Sequence, residues 1–245
     1  MAETVAVIHH LLASGSSFPS VVETGTGRLY VLKLSSAGPG KRALATEFVA
    51  LRLAKHLDLT APGAHVIDLP RDFPWQTGTD EFHETVQRSA GANLGVEFIA
   101  DARDLKAGDL AALPAPFIRR LAAVDALLQN VDRTAANPNI MRDAASVHWA
   151  IDFGACLLIE RLVRGASEPK LDVPPNHFLA AEPRLAGAAV AGAHSIAPQC
   201  LDEVIDALPN AWLADLGIAG GELRQRLGDY LARLRERPVP AAFAS

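Results

Sequence analysis

Residues 130–154 read Asn130-Val131-Asp132-Arg133-Thr134-Ala135-Ala136-Asn137-Pro138-Asn139-Ile140-Met141-Arg142-Asp143-Ala144-Ala145-Ser146-Val147-His148-Trp149-Ala150-Ile151-Asp152-Phe153-Gly154. An Asp is followed five residues later by an Asn, then by two short apolar runs about the turn 143–146, then by Asp-Phe-Gly. The two runs predict a hairpin, which returns Asp152 towards Asn137. Upstream, Phe117, Leu121, Val124 and Leu128 recur at three- and four-residue intervals. They define a buried helical face that runs up to Asn130 and delivers the loop behind it.

Nearer the N-terminus, residues 4–12 and 20–23 read as extended runs. Thr24-Gly25-Thr26-Gly27 reads as a hairpin turn into residues 28–34, because glycine accepts the positive φ such turns require. Three sequential antiparallel strands result. From Ala43 to Leu57 the spacing becomes helical, with Leu44, Phe48, Leu51 and Leu57 near one face and Glu47 beside the stripe. Residues 70–92 mix Pro, Gly and charge and are expected to be irregular. Residues 93–99 return to strand character. Further on, Leu201, Val204, Ile205 and Leu208 mark one helix, and Leu223, Leu227, Tyr230, Leu231 and Leu234 mark a terminal one.

The 245 residues, 49% hydrophobic and 21% charged, suffice for a full core in one domain or two packed lobes. A net charge of -5 argues against a broad grip on nucleic acid or on an anionic membrane. No apolar run approaches a membrane span, and with Glu3 and no basic residue before Val5 neither an export signal nor an anchor is expected. The two cysteines, Cys156 and Cys200, suggest neither zinc nor a disulfide framework and fit a reducing cytoplasm. His9-His10 sits in a strand, where neighbours point to opposite faces, so a metal pair is not expected there.

These residue types in this order suit phosphoryl transfer from a nucleotide, which requires charge neutralisation, a hard cation and a positioned acceptor. Lys33, at the end of the third strand, would reach the phosphates, and Glu47 would fix it through an ion pair. Gly15-Ser16-Ser17 would cover phosphates with backbone N–H groups and hydroxyls. Gly25-Thr26-Gly27 does not complete G-x-G-x-x-G and reads as a plain turn. Asp132 would orient the acceptor hydroxyl, while Asn137 and Asp152 would supply oxygen ligands to magnesium. Asn139 is a second amide, but the five-residue offset favours Asn137. Asn130 is expected to brace the loop, Arg133 to meet phosphate or a local carboxylate, and Asp125 to be a partly buried hydrogen-bonding group.

Taken together, Gly15-Ser16-Ser17, Val31-Leu32-Lys33, Glu47, Asn130-Val131-Asp132 through Asn137, and Asp152-Phe153-Gly154 resemble the HipA-like kinase family over roughly residues 5–160. Asn-x-Asp in place of His-Arg-Asp is one point of likeness. The resemblance implies an α+β, bilobal protein-kinase-like fold: a small antiparallel-sheet N-lobe with one helix over residues 1–99 and a mainly helical C-lobe over 100–245. It also implies ATP with Mg2+ and phosphorylation of Ser/Thr on a protein. Lys33 then binds phosphate, Asp132 is the catalytic base, and Asn137 and Asp152 hold the metal. By analogy, Glu97, Phe98 and Ile99 form the hinge that meets adenine. The length departs from larger members of that family, and no Ala-Pro-Glu follows Asp152. Kinases of small molecules or lipid headgroups use a similar loop, and a nucleotide-binding pseudokinase would share it too. The residues leave the acceptor and the oligomeric state open.

Overall fold

The structure is a computed structural model and describes residues 3–12, 18–74, 78–181 and 185–239. The first part of the chain is built on five strands: β1 (Glu3–Leu11), β2 (Ser20–Thr24), β3 (Leu29–Lys33), β4 (Ala64–Leu69) and β5 (Gly91–Glu97). Helix α1 (Lys41–His56) comes after β3, and α2 (Asp80–Arg88) precedes β5. Strands β1, β2 and β3 make the expected antiparallel meander, with Gly27 at φ 79° in the turn between β2 and β3. Strand β5 lies between β3 and β4, antiparallel to both. A short parallel pairing of Glu3 and Thr4 with Ile67 and Asp68 closes the sheet into a barrel.

Side-chain alternation then decides which residue faces what. Tyr30 and Leu32 of β3 join Val22, Ile67 and Leu69 in the barrel interior. Val31, out of phase with them, packs outward against the main core, and Lys33 shares that outer face. Strand β5 divides the same way. Leu94 and Val96 enter the main core, whereas a Cβ on Gly95 would stand 2.4 Å from Ile67 Cγ1. Glycine is needed there for close approach.

Residues 70–92 are not irregular throughout, because they contain α2. Thr79 caps it, its Oγ1 accepting the Phe82 N–H at 3.3 Å, and Asp80 and Glu81 occupy the first turn. Phe82 and Val86, one turn apart, are buried in the barrel interior. The polar composition reflects a helix with a single narrow apolar stripe.

The second part comprises β6 (Arg103–Asp104), a 3-10 turn (Ala107–Ala112), α3 (Ala115–Leu128), the hairpin of β7 (Ile140–Arg142) and β8 (His148–Ala150), and α4 (Leu158–Val163). Beyond these come α5 (Leu185–Ser195), α6 (Pro198–Asp206), α7 (Asn210–Leu216) and α8 (Gly220–Arg235). Strands β6, β7 and β8 form a small antiparallel sheet. Helix α3 buries Phe117, Leu121, Val124 and Leu128 as its periodicity predicts. It packs on α5, whose small residues allow close approach: a Cβ on Gly192 would lie 3.6 Å from Ala123 Cβ. Leu223, Leu227, Tyr230, Leu231 and Leu234 bury one stripe of α8, and the Tyr230 hydroxyl donates to the Leu127 carbonyl at 3.2 Å. Each fully buried Leu or Phe contributes about 1.5–3 kcal/mol. The outcome is the expected α+β architecture, a sheet-built first part and a helical second part. Among the described residues no helix is long and apolar enough to cross a membrane.

Candidate active site

The outer face of β3 aims Lys33 at α1, and the helical phase of α1 aims Glu47 back. The Lys33 ammonium donates to both Glu47 carboxylate oxygens, at 2.8 and 2.6 Å, and to Asp152 Oδ1 at 3.0 Å. Glu47 is buried, with 2% exposure, and also accepts from the Phe153 backbone. Burial works to lower the Lys33 pKa, but the Glu47 charge and then Asp152 outweigh it, so the ammonium is held well above its ordinary value. Burial raises the Glu47 carboxyl, an effect Lys33 opposes. Asp152 differs in access, its side chain being 51% exposed. One oxygen of Asp152 is engaged by Lys33 at a solvent-facing position.

The loop after α3 turns at Gln129, a non-glycine residue at φ 58°. Asn130 braces the loop from its start: its amide donates to Asp125 Oδ1 at 3.0 Å and its carbonyl oxygen accepts the Asp132 N–H at 3.1 Å. Asp132 is exposed. Its Oδ2 accepts from the Asn137 amide at 3.1 Å and from the Asn139 amide at 3.5 Å. The Asn139 carbonyl accepts the Ile151 N–H at 2.9 Å, which ties the loop to the residue before Asp152. The two carboxylate groupings are thereby set on a common base. Asp152 itself lies at φ 56°, a left-handed conformation costing about 1–2 kcal/mol that its neighbours must enforce.

Arg133 and Phe153 supply that enforcement. The Arg133 side chain is wholly buried and donates Nε to Asp125 Oδ2 at 2.7 Å. One terminal nitrogen reaches the Pro138 and Asn139 carbonyls at 2.8 and 2.7 Å, and the other the Ile151 carbonyl at 3.4 Å. Its guanidinium also lies 4.9 Å from the centre of the buried Phe153 ring. Arg133 is thus paired with a carboxylate, and Asp125 is fully rather than partly buried. His177, also buried, brings Nε2 to 3.3 Å from Asp125 Oδ2. Sequence reasoning missed His177, which sits in a stretch with no periodic pattern. Cys156, buried behind this group, has its thiol pushed up by desolvation and then by the Asp125 charge.

Glu97 ends β5, and its carboxylate is already occupied, by Arg28 at 2.8 Å, His65 at 3.0 Å and the Gly63 N–H at 3.1 Å. A Cβ on Gly63 would collide with it at 2.6 Å. Burial pushes the Glu97 pKa up, but the Gly63 N–H and His65 outweigh it and hold it low. The N–H groups of Glu97 and Phe98 are committed to Gly63 and Leu29 carbonyls, so they are not free for a ligand. Ile99 comes next, at the half-buried edge. Gly15, Ser16 and Ser17 lie outside the described residues.

A barrel-plus-helix part, a helical part and a site between them define a protein-kinase-like fold. A crystal structure of a Helicobacter pylori proinflammatory kinase, CtkA, superposes with a TM-score of 0.55 at 11% identity, covering 95% of this chain and 97% of that one. The MAP kinase LmaMPK10 from Leishmania major aligns at a TM-score of 0.33 and 12% identity over 96% of this chain and 70% of that one. A comparison with curated proteins returned no significant match. Residues 5–165, about two thirds of the sequence, match the family described as HipA-like kinase. The chain belongs to the HipA-like kinase family and is, at that level, a phosphotransferase.

Proposed function

We propose that the chain is an ATP- and Mg2+-dependent kinase that transfers the γ-phosphate of ATP to a Ser or Thr hydroxyl of a protein in the cytoplasm. The observation carrying this reading is the sharing of one ammonium between Glu47 and a half-exposed Asp152, on a hairpin bonded to the Asp132 and Asn137 loop. Lys33 keeps Glu47 as its permanent partner and trades its contact to Asp152 for the nucleotide phosphates. Asp132, exposed and hydrogen-bonded to two amides, accepts the proton of the incoming hydroxyl and aligns it for in-line attack.

The donor set suits Mg2+. Asn137 donates its amide nitrogen to Asp132, leaving its oxygen for a hard cation, and Asp152 has a second carboxylate oxygen beyond the one Lys33 takes. Mg2+ needs only one or two such oxygens when phosphates complete its shell. When bound, it neutralises charge on the transferring group. In this reading residues 1–99 hold the nucleotide and 100–245 the catalytic and metal-binding loops. Glu97 Oε atoms stay locked in the barrel rim, so adenine would meet backbone near Phe98 and Ile99. Gly15, Ser16 and Ser17 are proposed as the phosphate cover. The protein acceptor rests on family membership and on the openness of Asp132.

Incubation with labelled ATP and Mg2+, comparing the natural chain with Asp132→Ala and Asp152→Ala, tests the reading. Label on the chain itself or on a protein, in the natural sequence alone, is the expected result. Label only on small molecules overturns the protein acceptor. Nucleotide binding without transfer identifies a pseudokinase and overturns the catalytic reading altogether.

A further inference from the structure

Helix α1 carries Glu47, yet much of what holds α1 in place comes from residues 198–216, beyond the segment matched to the family. Trp212 of α7 is wholly buried. Its ring stands edge-on to Phe48, the residue after Glu47, with centroids 6.1 Å apart and planes at 79°. Its indole N–H donates to the Ala92 carbonyl of β5 at 3.2 Å. The next residue, Asn93, accepts the Ser35 N–H at 2.7 Å, two residues past Lys33, and Leu94 pairs directly with Lys33 across β5 and β3. One side chain therefore touches both α1, at the residue beside Glu47, and β5, two residues from the partner of Lys33.

The same face of the molecule holds α1 at both ends. Arg42 meets Asp215 of α7 at 3.6 Å, and His56 Nδ1 meets Cys200 Sγ of α6 at 3.2 Å. Between them, Leu44, Phe48 and Leu51 share one apolar core with Leu201, Ile205, Trp212 and Leu216. A helix anchored at three points along its length cannot swing Glu47 away from Lys33 without opening that core.

We propose that Trp212 is a positioning residue for phosphate binding: through Phe48 and Ala92 it keeps Lys33 and Glu47 paired, so the pair is built in by the C-terminal helices. This rests on the reading of Lys33 and Glu47 as the phosphate-binding pair. The full chain is titrated calorimetrically with ATP plus Mg2+ and, separately, with adenosine, which has the base but no phosphate. The ratio of the two affinities isolates what the phosphates contribute. Trp212→Leu is expected to reduce that ratio about tenfold, towards the value for Lys33→Met, while adenosine affinity holds. Trp212→Phe, which keeps the ring contact with Phe48, is expected to restore most of it. Leu227→Ala, a core truncation in α8 far from α1 in sequence, is expected to destabilise the chain without moving the ratio.

If Lys33→Met leaves the ratio unchanged, the phosphate-binding reading itself fails. If Lys33→Met collapses it and Trp212→Leu does not, the brace fails while the reading stands. An equal loss in Leu227→Ala reduces Trp212 to a general stability role and also overturns the proposal. Should Trp212→Leu not fold, Phe48→Leu removes the same ring contact from the α1 side, and an unchanged ratio in that variant rejects the proposal.

Discussion

Two charged clusters stand on either side of the same loop, and they differ in access more than in composition. Behind it, Arg133, Asp125 and His177 are completely enclosed, and the guanidinium is committed to one carboxylate and three backbone carbonyls. In front, Lys33 is shared between a buried Glu47 and a half-exposed Asp152. In the enclosed cluster the Arg133 guanidinium is fully committed, which suits it to holding shape. The open one leaves Asp152 half exposed beside Lys33, which suits the proposed exchange of that partner for a charged ligand. A planar fork suits the first task and a point charge the second.

Replacing Asp152 by Ala is the sharpest way to break this contrast. Transfer should fall by on the order of 10³-fold, whereas the melting temperature should hold or rise slightly, since an exposed carboxylate is lost and Lys33 retains Glu47. A large drop in thermal stability would place Asp152 with the enclosed cluster instead. For that cluster, Arg133→Ala leaves Asp125 buried and uncompensated, and urea unfolding should show a loss of about 3–5 kcal/mol. The double substitution Asp125→Leu with Arg133→Met should recover only part of that stability, because it removes the buried charge but leaves the Asn130 amide and three carbonyls without their partners. Transfer should remain low in it, because nothing then ties the Pro138, Asn139 and Ile151 carbonyls together.

A milder test is Arg133→Lys, which keeps the charge but loses the fork. A stability loss of about 1–2 kcal/mol, with transfer reduced roughly tenfold, would show that geometry matters beyond charge. Wild-type transfer in this variant would refute it.

The barrel rim offers an intermediate case. Burial pushes the Glu3 carboxyl up, but hydrogen bonds from Thr24, Tyr30 and Thr26 and the Arg28 charge overcome this and bring its pKa to about 2. A depressed folded-state pKa means the stabilisation is present above about pH 4.5 and disappears as pH falls towards 2. Glu3→Gln should therefore cost about 1 kcal/mol at neutral pH and flatten the stability profile between those limits, measurable by denaturant unfolding across pH.

Short-range patterns were the legible part of the sequence. Asp132, Asn137 and Asp152 announce themselves by spacing within 21 residues, and Lys33 and Glu47 by strand and helix phase. The structure brings Lys33, Glu47 and Asp152 into contact and joins them to the loop through Ile151. Helix α2 was hidden because Pro70, Pro74 and Gly78 dominate its surroundings, although Thr79 followed by Asp80, Glu81 and an apolar pair one turn apart was a readable start signal. The occupied state of Glu97 was not readable, since Arg28, Gly63 and His65 reach it only after the barrel closes. Trp212 lies 165 residues from Glu47 in sequence, and no local pattern links a helix near the C-terminus to one near the start.

Strand β5 shows where the molecule is divided energetically. Its Gly95 face belongs to the barrel interior and its Leu94 and Val96 face to the core shared with α1 and the C-terminal helices. The frontier between the two apolar interiors is thus the wall of a sheet, and no single peptide bond coincides with it. Cutting the chain after residue 99 would strip α1 and the outer wall of the barrel of their cover. The sheet-built half therefore depends on the helical one for the cover of its outer wall, and the two are expected to unfold together.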